Sequence, residues 1–205
     1  MGRAARAHWQ QVYEHKAADE LSWHEPAARG SMSLIAEAGL ARDDPILDVG
    51  GGTSALAGEL LGAGYRDVTV ADISAAALER SRSELGAAAE RVTWIEGDVT
   101  EHGFARPCAL WHDRAVLHFM VGAEERDAYL ANLRASLRPG GHLVLAVFGP
   151  EGPTACSGLP VSRYSAPALA DLLPDFELLS TSLRLHRTPS ERSQQFLYGH
   201  LRRAR

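Results

Sequence analysis

Cysteine, lysine and long apolar runs are all scarce in this sequence of 205 residues. The two cysteines, Cys108 and Cys156, stand far apart with no second pair, which excludes a zinc ribbon or a disulfide framework and suits a reducing cytoplasm. Lys16 is the only lysine among 21 basic side chains, a bias that reads as codon usage in a GC-rich genome and carries no functional signal. No stretch reaches the ~18 consecutive apolar residues of a membrane span. The basic start, Met1 to Arg6, runs straight into His8-Trp9-Gln10-Gln11 without the apolar core of a leader peptide. With 26 acidic side chains and a formal charge of -5, the chain lacks the basic stripe of a nucleic-acid binder. The nine histidines show no His-x-x-x-His spacing, so no metal site is expected, although His24, His112, Asp113 and His118 could converge. A chain of this length can bury about 70% of its unfolded surface in one core, and a single domain over residues 1–205 is expected.

What is present is an alternation of short apolar runs and helical stretches. Pro45 to Val49, Asp67 to Asp72, Val92 to Ile95, Ala109 to Trp111 and His142 to Phe148 read as strands. Helical patterns follow at Thr53 to Leu61, after Ser74 to about Leu85, and from Glu124 to Leu137, where Pro139-Gly140-Gly141 stops the last. The fold class is therefore α/β, a doubly wound, Rossmann-like and mostly parallel sheet. The last quarter differs: a short helix from about Ser165 precedes two strand-like runs, Phe176 to Leu185 and Gln195 to Leu201, with no helix between them. They are expected to pair as an antiparallel hairpin and bring the sheet to seven strands.

Gly50-Gly51-Gly52 lies between the first strand and its helix, where open α/β sheets bind ligands and glycine lets a ligand reach the backbone. Gly50-x-Gly52-x-x-Ala55 also satisfies the dinucleotide fingerprint, with Asp72 near the distance expected of a ribose-binding acid. The loop alone thus leaves a nicotinamide enzyme and another nucleoside binder both open. Three features decide between them. Asp48, two residues before Gly50, suits an ammonium group and would repel a pyrophosphate. Asp98, in Gly97-Asp98-Val99, adds a second carboxylate on the same rim, where an adenine amino group could be met. The third is the antiparallel end of the sheet.

Together these stretches resemble the class I S-adenosylmethionine-dependent methyltransferases. The matching residues are Ile46 to Ser54, Val70 to Ser74, Glu96 to Val99 and Leu137 to Gly141, in order from about 45 to 148. The resemblance implies S-adenosylmethionine as cofactor, with Asp48 and the Gly50, Gly51 and Gly52 backbone at its methionine end. It also implies Asp72 on the ribose hydroxyls, Ile73 against the adenine, and Asp98 with Val99 at the adenine edge. Asp72 and Asp98 as mere helix or turn caps is the plain alternative.

Asp113-Arg114-Ala115-Val116-Leu117 ends the fourth strand and is similar to the Asp-Arg-Gly/Ala-x-Leu run of thiopurine-type methyltransferases. The elongation-factor-type protein-lysine methyltransferases carry an acid-Lys-Gly-Thr-Leu-Asp run there; Arg114 and His118 depart from it. Trp9 to Tyr13 and Trp23 to Pro26 resemble the aromatic lid of both branches, with Trp9, Tyr13 and Trp23 over the cofactor; packing onto the sheet is their other reading. Asp113, Arg114 and His112 are the candidate catalytic or orienting residues, and His118 is a further base candidate. Residues 1–30 are expected to form a helical lid, 45–148 the cofactor-binding core, and 149–205 the acceptor loop and hairpin. Cys156 sits on that loop. The expected activity is methyl transfer to a small molecule. Protein-lysine methylation, a nicotinamide-dependent oxidoreductase and a non-catalytic nucleoside-binding module are the alternatives. No nucleic-acid or membrane partner is expected, and the oligomeric state stays open.

Overall fold

The computed structural model describes residues 2–101, 103, 104 and 106–205, with the backbone alone for Ala18. Five strands supply the parallel frame: β1 (Ile46–Val49), β2 (Val68–Asp72), β3 (Val92–Glu96), β4 (Cys108–Arg114) and β5 (Leu137–Phe148). A small ribbon follows, β6 (Ala155–Cys156) with β7 (Leu159–Pro160), and then two long strands, β8 (Phe176–Arg187) and β9 (Ser193–Arg203). The main sheet has seven strands in the order β3-β2-β1-β4-β5-β9-β8. β9 is inserted between β5 and β8 and runs antiparallel to both. That position explains its uninterrupted buried run from Phe196 to Leu201, while the edge strand β8 alternates and leaves Leu183 and Leu185 exposed.

The helices are α1 (Gly2–His15), α2 (Arg29–Glu37), α3 (Leu56–Gly62), α4 (Ala75–Leu85), α5 (Ala123–Ser136) and α6 (Ala166–Leu172). Successive strand residues point to opposite faces, so two apolar layers form. Ile46, Leu110, Val144 and Ala146 meet α1 to α4 on one face; Leu47, Trp111, Leu143 and Leu145 meet α5 and α6 on the other. Ser74 caps α4 as its sequence indicates, its hydroxyl accepting from Ala77 N–H at 3.2 Å. No helix among the described residues is long and apolar enough to cross a membrane.

Three features depart from the sequence reading. α2 lacks a local side-chain cap, which hid it; the Ala28 N–H at its start donates instead to Glu59 Oε1, 2.8 Å away on α3. β5 begins at Leu137, before the Pro-Gly-Gly stop, and the stop becomes a register shift opposite Cys108 and Leu110. The ribbon β6–β7 lies in the loop read as irregular, too short to leave a pattern.

Candidate active site

β1 to β4 end on one rim. After Val49 the chain turns through Gly50 to Gly52, and Gly50 N–H donates to Ala71 O at 2.7 Å. Gly50 lies at φ 64° and Gly52 at φ 45°, a region that side chains with a Cβ rarely adopt. Sterics agree: a Cβ on Gly50 would stand 2.1 Å from Val116 Cγ2, and one on Gly52 2.6 Å from Tyr13 Oη.

Three carboxylates surround this loop. Asp48 stands opposite His112 of β4, and His112 Nδ1 is 2.6 Å from Asp48 Oδ1. His112 Nε2 is 2.7 Å from the hydroxyl of Ser31 on α2, and all three side chains are buried. His112 thus ties Asp48 to Ser31 through its two ring nitrogens, and the chain of bonds fixes Asp48 in place. Asp48 Oδ2 is also buried and has no hydrogen-bond partner among the described residues. Asp72 ends β2, and its Oδ1 accepts from Ser74 N–H at 2.8 Å. Burial pushes the Asp72 carboxyl up to about 7 against the backbone donors of Ser74 and Gly52, and the Asp48 charge adds to the rise. Burial also raises Asp98, but the N–H and hydroxyl of Thr100, at 2.9 and 2.7 Å, hold its carboxyl below the ordinary range. Asp72 and Asp98 therefore stabilise turns and face the same cleft at once.

That cleft is lined along the rim by Gly50, Asp72, Ile73, Asp98 and Val99. A smaller cleft adjoins it at Asp48, Gly51 and His24. α1 and the segment after it form the roof. The Trp9 ring meets Trp23 edge-on at 5.7 Å and Phe119 at 5.0 Å, and Tyr13 meets Trp23 at 6.2 Å. Arg114 fastens the roof to the sheet. Its Nη1 donates to Trp23 O at 2.8 Å, its Nη2 lies 2.9 Å from Glu25 Oε1, and the guanidinium sits 5.2 Å from the Phe196 ring centre. Arg80 of α4 adds a second tie, donating to Lys16 O and Tyr13 O at 2.7 and 2.5 Å.

Strand alternation separates the three adjacent acceptor-side candidates. His112 faces Asp48. Asp113 points to the opposite face, fully buried, where Oδ1 accepts from Val116 N–H at 2.8 Å and Oδ2 from Leu117 N–H and Tyr129 Oη at 2.9 and 2.6 Å. Burial raises the Asp113 carboxyl to about 6 against the opposing bond from Tyr129. Arg114 lines the larger cleft, His112 only the smaller one, and Asp113 neither. The Asp113 bonds hold the turn in which Ala115 adopts φ 75° beside the cleft. Phe119, Phe148, Cys156 and Phe196 complete that end, together with His118. Ser31, Phe148 and Phe196 carried no sequence signal: Ser31 sits on the uncapped α2, and the two phenylalanines meet only because β5 and β9 pair there. Among the described residues, no three His, Cys, Asp or Glu side chains are grouped to hold a metal ion.

Residues 46–141 match the family model described as a methyltransferase domain. The matched stretch runs from β1 into β5 and includes the glycine turn, Asp72 and Asp98. Over 109 residues the chain is 38% identical to the ubiquinone/menaquinone biosynthesis C-methyltransferase UbiE of Paracoccus denitrificans (strain Pd 1222), a match covering 50% of this chain and 42% of that protein. The match thus spans less than half of that relative's length. Among solved structures, a protein described with the conversion of a disulfide bond into a thioacetal group during echinomycin biosynthesis superimposes with a TM-score of 0.76 at 22% identity, covering 98% of this chain and 92% of the other. The 1,6-didemethyltoxoflavin-N1-methyltransferase of Burkholderia thailandensis, solved with 1,6-didemethyltoxoflavin and S-adenosylhomocysteine, gives 0.70 at 23% identity over 98% and 85%. At these identities the two structures speak to the fold.

Proposed function

We propose that the protein binds S-adenosylmethionine along the rim and transfers its methyl group to a small-molecule acceptor. The observation that carries this reading is the Asp48 carboxylate, locked through Oδ1 and open at a buried Oδ2 beside the glycine turn. A buried carboxylate oxygen needs a donor, and an ammonium group supplies one. Asp72 accepts from the ribose hydroxyls, Ile73 and Val99 cover the adenine faces, and Asp98 receives the adenine amino group. The Gly50 to Gly52 backbone packs against the methionine end. Trp9, Tyr13 and Trp23 exclude water from above. When bound, the cofactor supplies a methyl group already activated by its sulfonium, so the chain's task is geometry and a dry site.

In this reading Asp113 and His112 are positioning residues: Asp113 holds the turn at Ala115, and His112 holds Asp48. Arg114 closes the roof. The division of labour follows the chain, with 1–30 as lid, 45–148 as cofactor core and 149–205 as acceptor wall. A small acceptor is favoured because Trp9 and Tyr13, both buried, roof the cleft. The 1,6-didemethyltoxoflavin-N1-methyltransferase of like fold, solved with 1,6-didemethyltoxoflavin bound, is consistent with such an acceptor. Two unpaired cysteines suit a cytoplasmic setting. Incubation with methyl-labelled cofactor and either a metabolite extract or a protein lysate tests the proposal. Label in small molecules supports it; label confined to protein bands makes the chain a protein methyltransferase, and no label with either acceptor pool contradicts methyl transfer.

A further inference from the structure

The acceptor end of the cleft contains one polar side chain whose role the proposed methyl transfer leaves undefined. His118 is fully buried and lines the cleft. Its ring is held by Phe148, stacked at 4.3 Å with 15° between planes, and by Phe119 at 4.6 Å. Its carbonyl is held too, accepting from Ser162 N–H at 2.7 Å. The hydrogen bonding fixes the tautomer. Phe148 N–H donates to His118 Nδ1 at 3.2 Å, so Nδ1 carries no proton and a neutral ring carries it on Nε2. Burial, reinforced by the Arg114 charge, pushes the imidazole down to about 3, and the ring is neutral throughout the physiological range. Nε2 is buried and has no hydrogen-bond partner among the described residues. A buried N–H without an acceptor weakens the fold and is kept where something else supplies the acceptor.

The rest of this end is mainly aromatic: Phe119, Phe148, Phe196 and Trp23, with Cys156. Burial raises the Cys156 thiol, so it stays protonated and presents no charge. Arg114 donates to the Trp23 carbonyl and Tyr198, and its Nη2, which makes no hydrogen bond among the described residues, is ion-paired with Glu25. We propose that this end binds a planar, conjugated ring molecule and that the His118 Nε2–H donates to a lone pair on that ring's edge, a ring nitrogen or a ring-bound oxygen. The aromatic walls read the flat faces, and His118 reads one atom of the perimeter. His118 is then a donor that selects and orients the acceptor, and not the base that its residue type first indicates. This rests on the cleft being the methyl-acceptor site.

The test uses quinoline and isoquinoline against naphthalene, which share a shape and differ by one ring nitrogen. Each is titrated into the full chain with and without S-adenosylhomocysteine, following the intrinsic tryptophan fluorescence, to which Trp9 and Trp23 at the cleft contribute. The better of the two nitrogen rings is expected to bind about tenfold tighter than naphthalene, the worth of one buried hydrogen bond. The preference should vanish in His118→Phe and persist in His118→Gln, which keeps an N–H donor. Equal affinities in the wild type, a preference that survives His118→Phe, or no binding by any probe overturns the inference. The wild-type comparison decides the matter even if a variant fails to fold. Calorimetry with S-adenosylhomocysteine is run separately: its failure counts against the methyltransferase reading, whereas failure of the ring preference counts against His118 alone.

Discussion

The two ends of the cleft are built by different means. At the cofactor end, conformation does the selecting: Gly50 and Gly52 occupy backbone geometry that other residues resist, and acids stand at fixed offsets from strand ends. At the acceptor end, side chains from the N-terminal segment, the turn after β4, the ribbon and β9 are brought together by sheet pairing. Backbone-built sites tolerate little change at a few positions; packed walls spread the burden over many.

The sharpest way to break this contrast is Gly50→Ala. Left-handed strain and the clash with Val116 together should cost about 2–4 kcal/mol of stability and abolish binding of S-adenosylhomocysteine. Chemical denaturation and titration check both, and unchanged values would mean that the turn adapts. Asp72→Ala should weaken S-adenosylhomocysteine by about 10- to 100-fold and leave the ring-probe affinities of the acceptor end untouched. Loss at both ends would erase the distinction between them.

The Asp72 carboxyl also gives the cofactor end a pH signature. As proposed, its ionised form would accept the ribose hydroxyls, and its folded value is raised from 3.8 to about 7. Affinity for S-adenosylhomocysteine should therefore fall as pH drops below 7, approaching about tenfold per unit, and Asp72→Asn should flatten that dependence. For the unliganded fold the sign is opposite. A raised carboxyl favours folding while it stays protonated, and that contribution is lost as pH rises through the folded value. Denaturation of Asp72→Asn against wild type at pH 5 and 8 should show the variant gaining relative stability at pH 8.

Arg114→Ala tests the tie between the roof and the sheet. It should raise amide exchange in residues 17–28 by about tenfold, read by mass spectrometry; exchange as slow as in the wild type would show that Arg114 does not fasten the lid. The smallest effect is expected from Ala115→Gly. Relief of the φ 75° strain and the entropy cost of glycine nearly cancel, so stability should change by less than about 1 kcal/mol. A larger loss would mean that the Ala115 methyl packs in the cleft wall.

The same contrast decides what could be read in the sequence. The seven strands, the parallel core, Ser74 as a cap and the glycine turn are encoded by neighbouring residues, and each is found in the structure. α2 stayed hidden because its first N–H finds Glu59, 31 residues away, rather than a local cap. His112, Asp113 and Arg114 looked like one constellation because they are consecutive. A strand sends them to alternate faces, which leaves Asp113 bonded to Tyr129 and His112 between Asp48 and Ser31. His118 and Phe196 acquire meaning only through contacts with β5, which no local pattern records.

The central claim is that the open oxygen of Asp48 and the neighbouring rim form a site for S-adenosylmethionine. Calorimetric titration of the wild-type chain with S-adenosylhomocysteine and, separately, with NADH tests it most directly. The account predicts saturable binding of S-adenosylhomocysteine at one site per chain and no heat from NADH. Silence from S-adenosylhomocysteine, or saturable binding of NADH in its place, would contradict it.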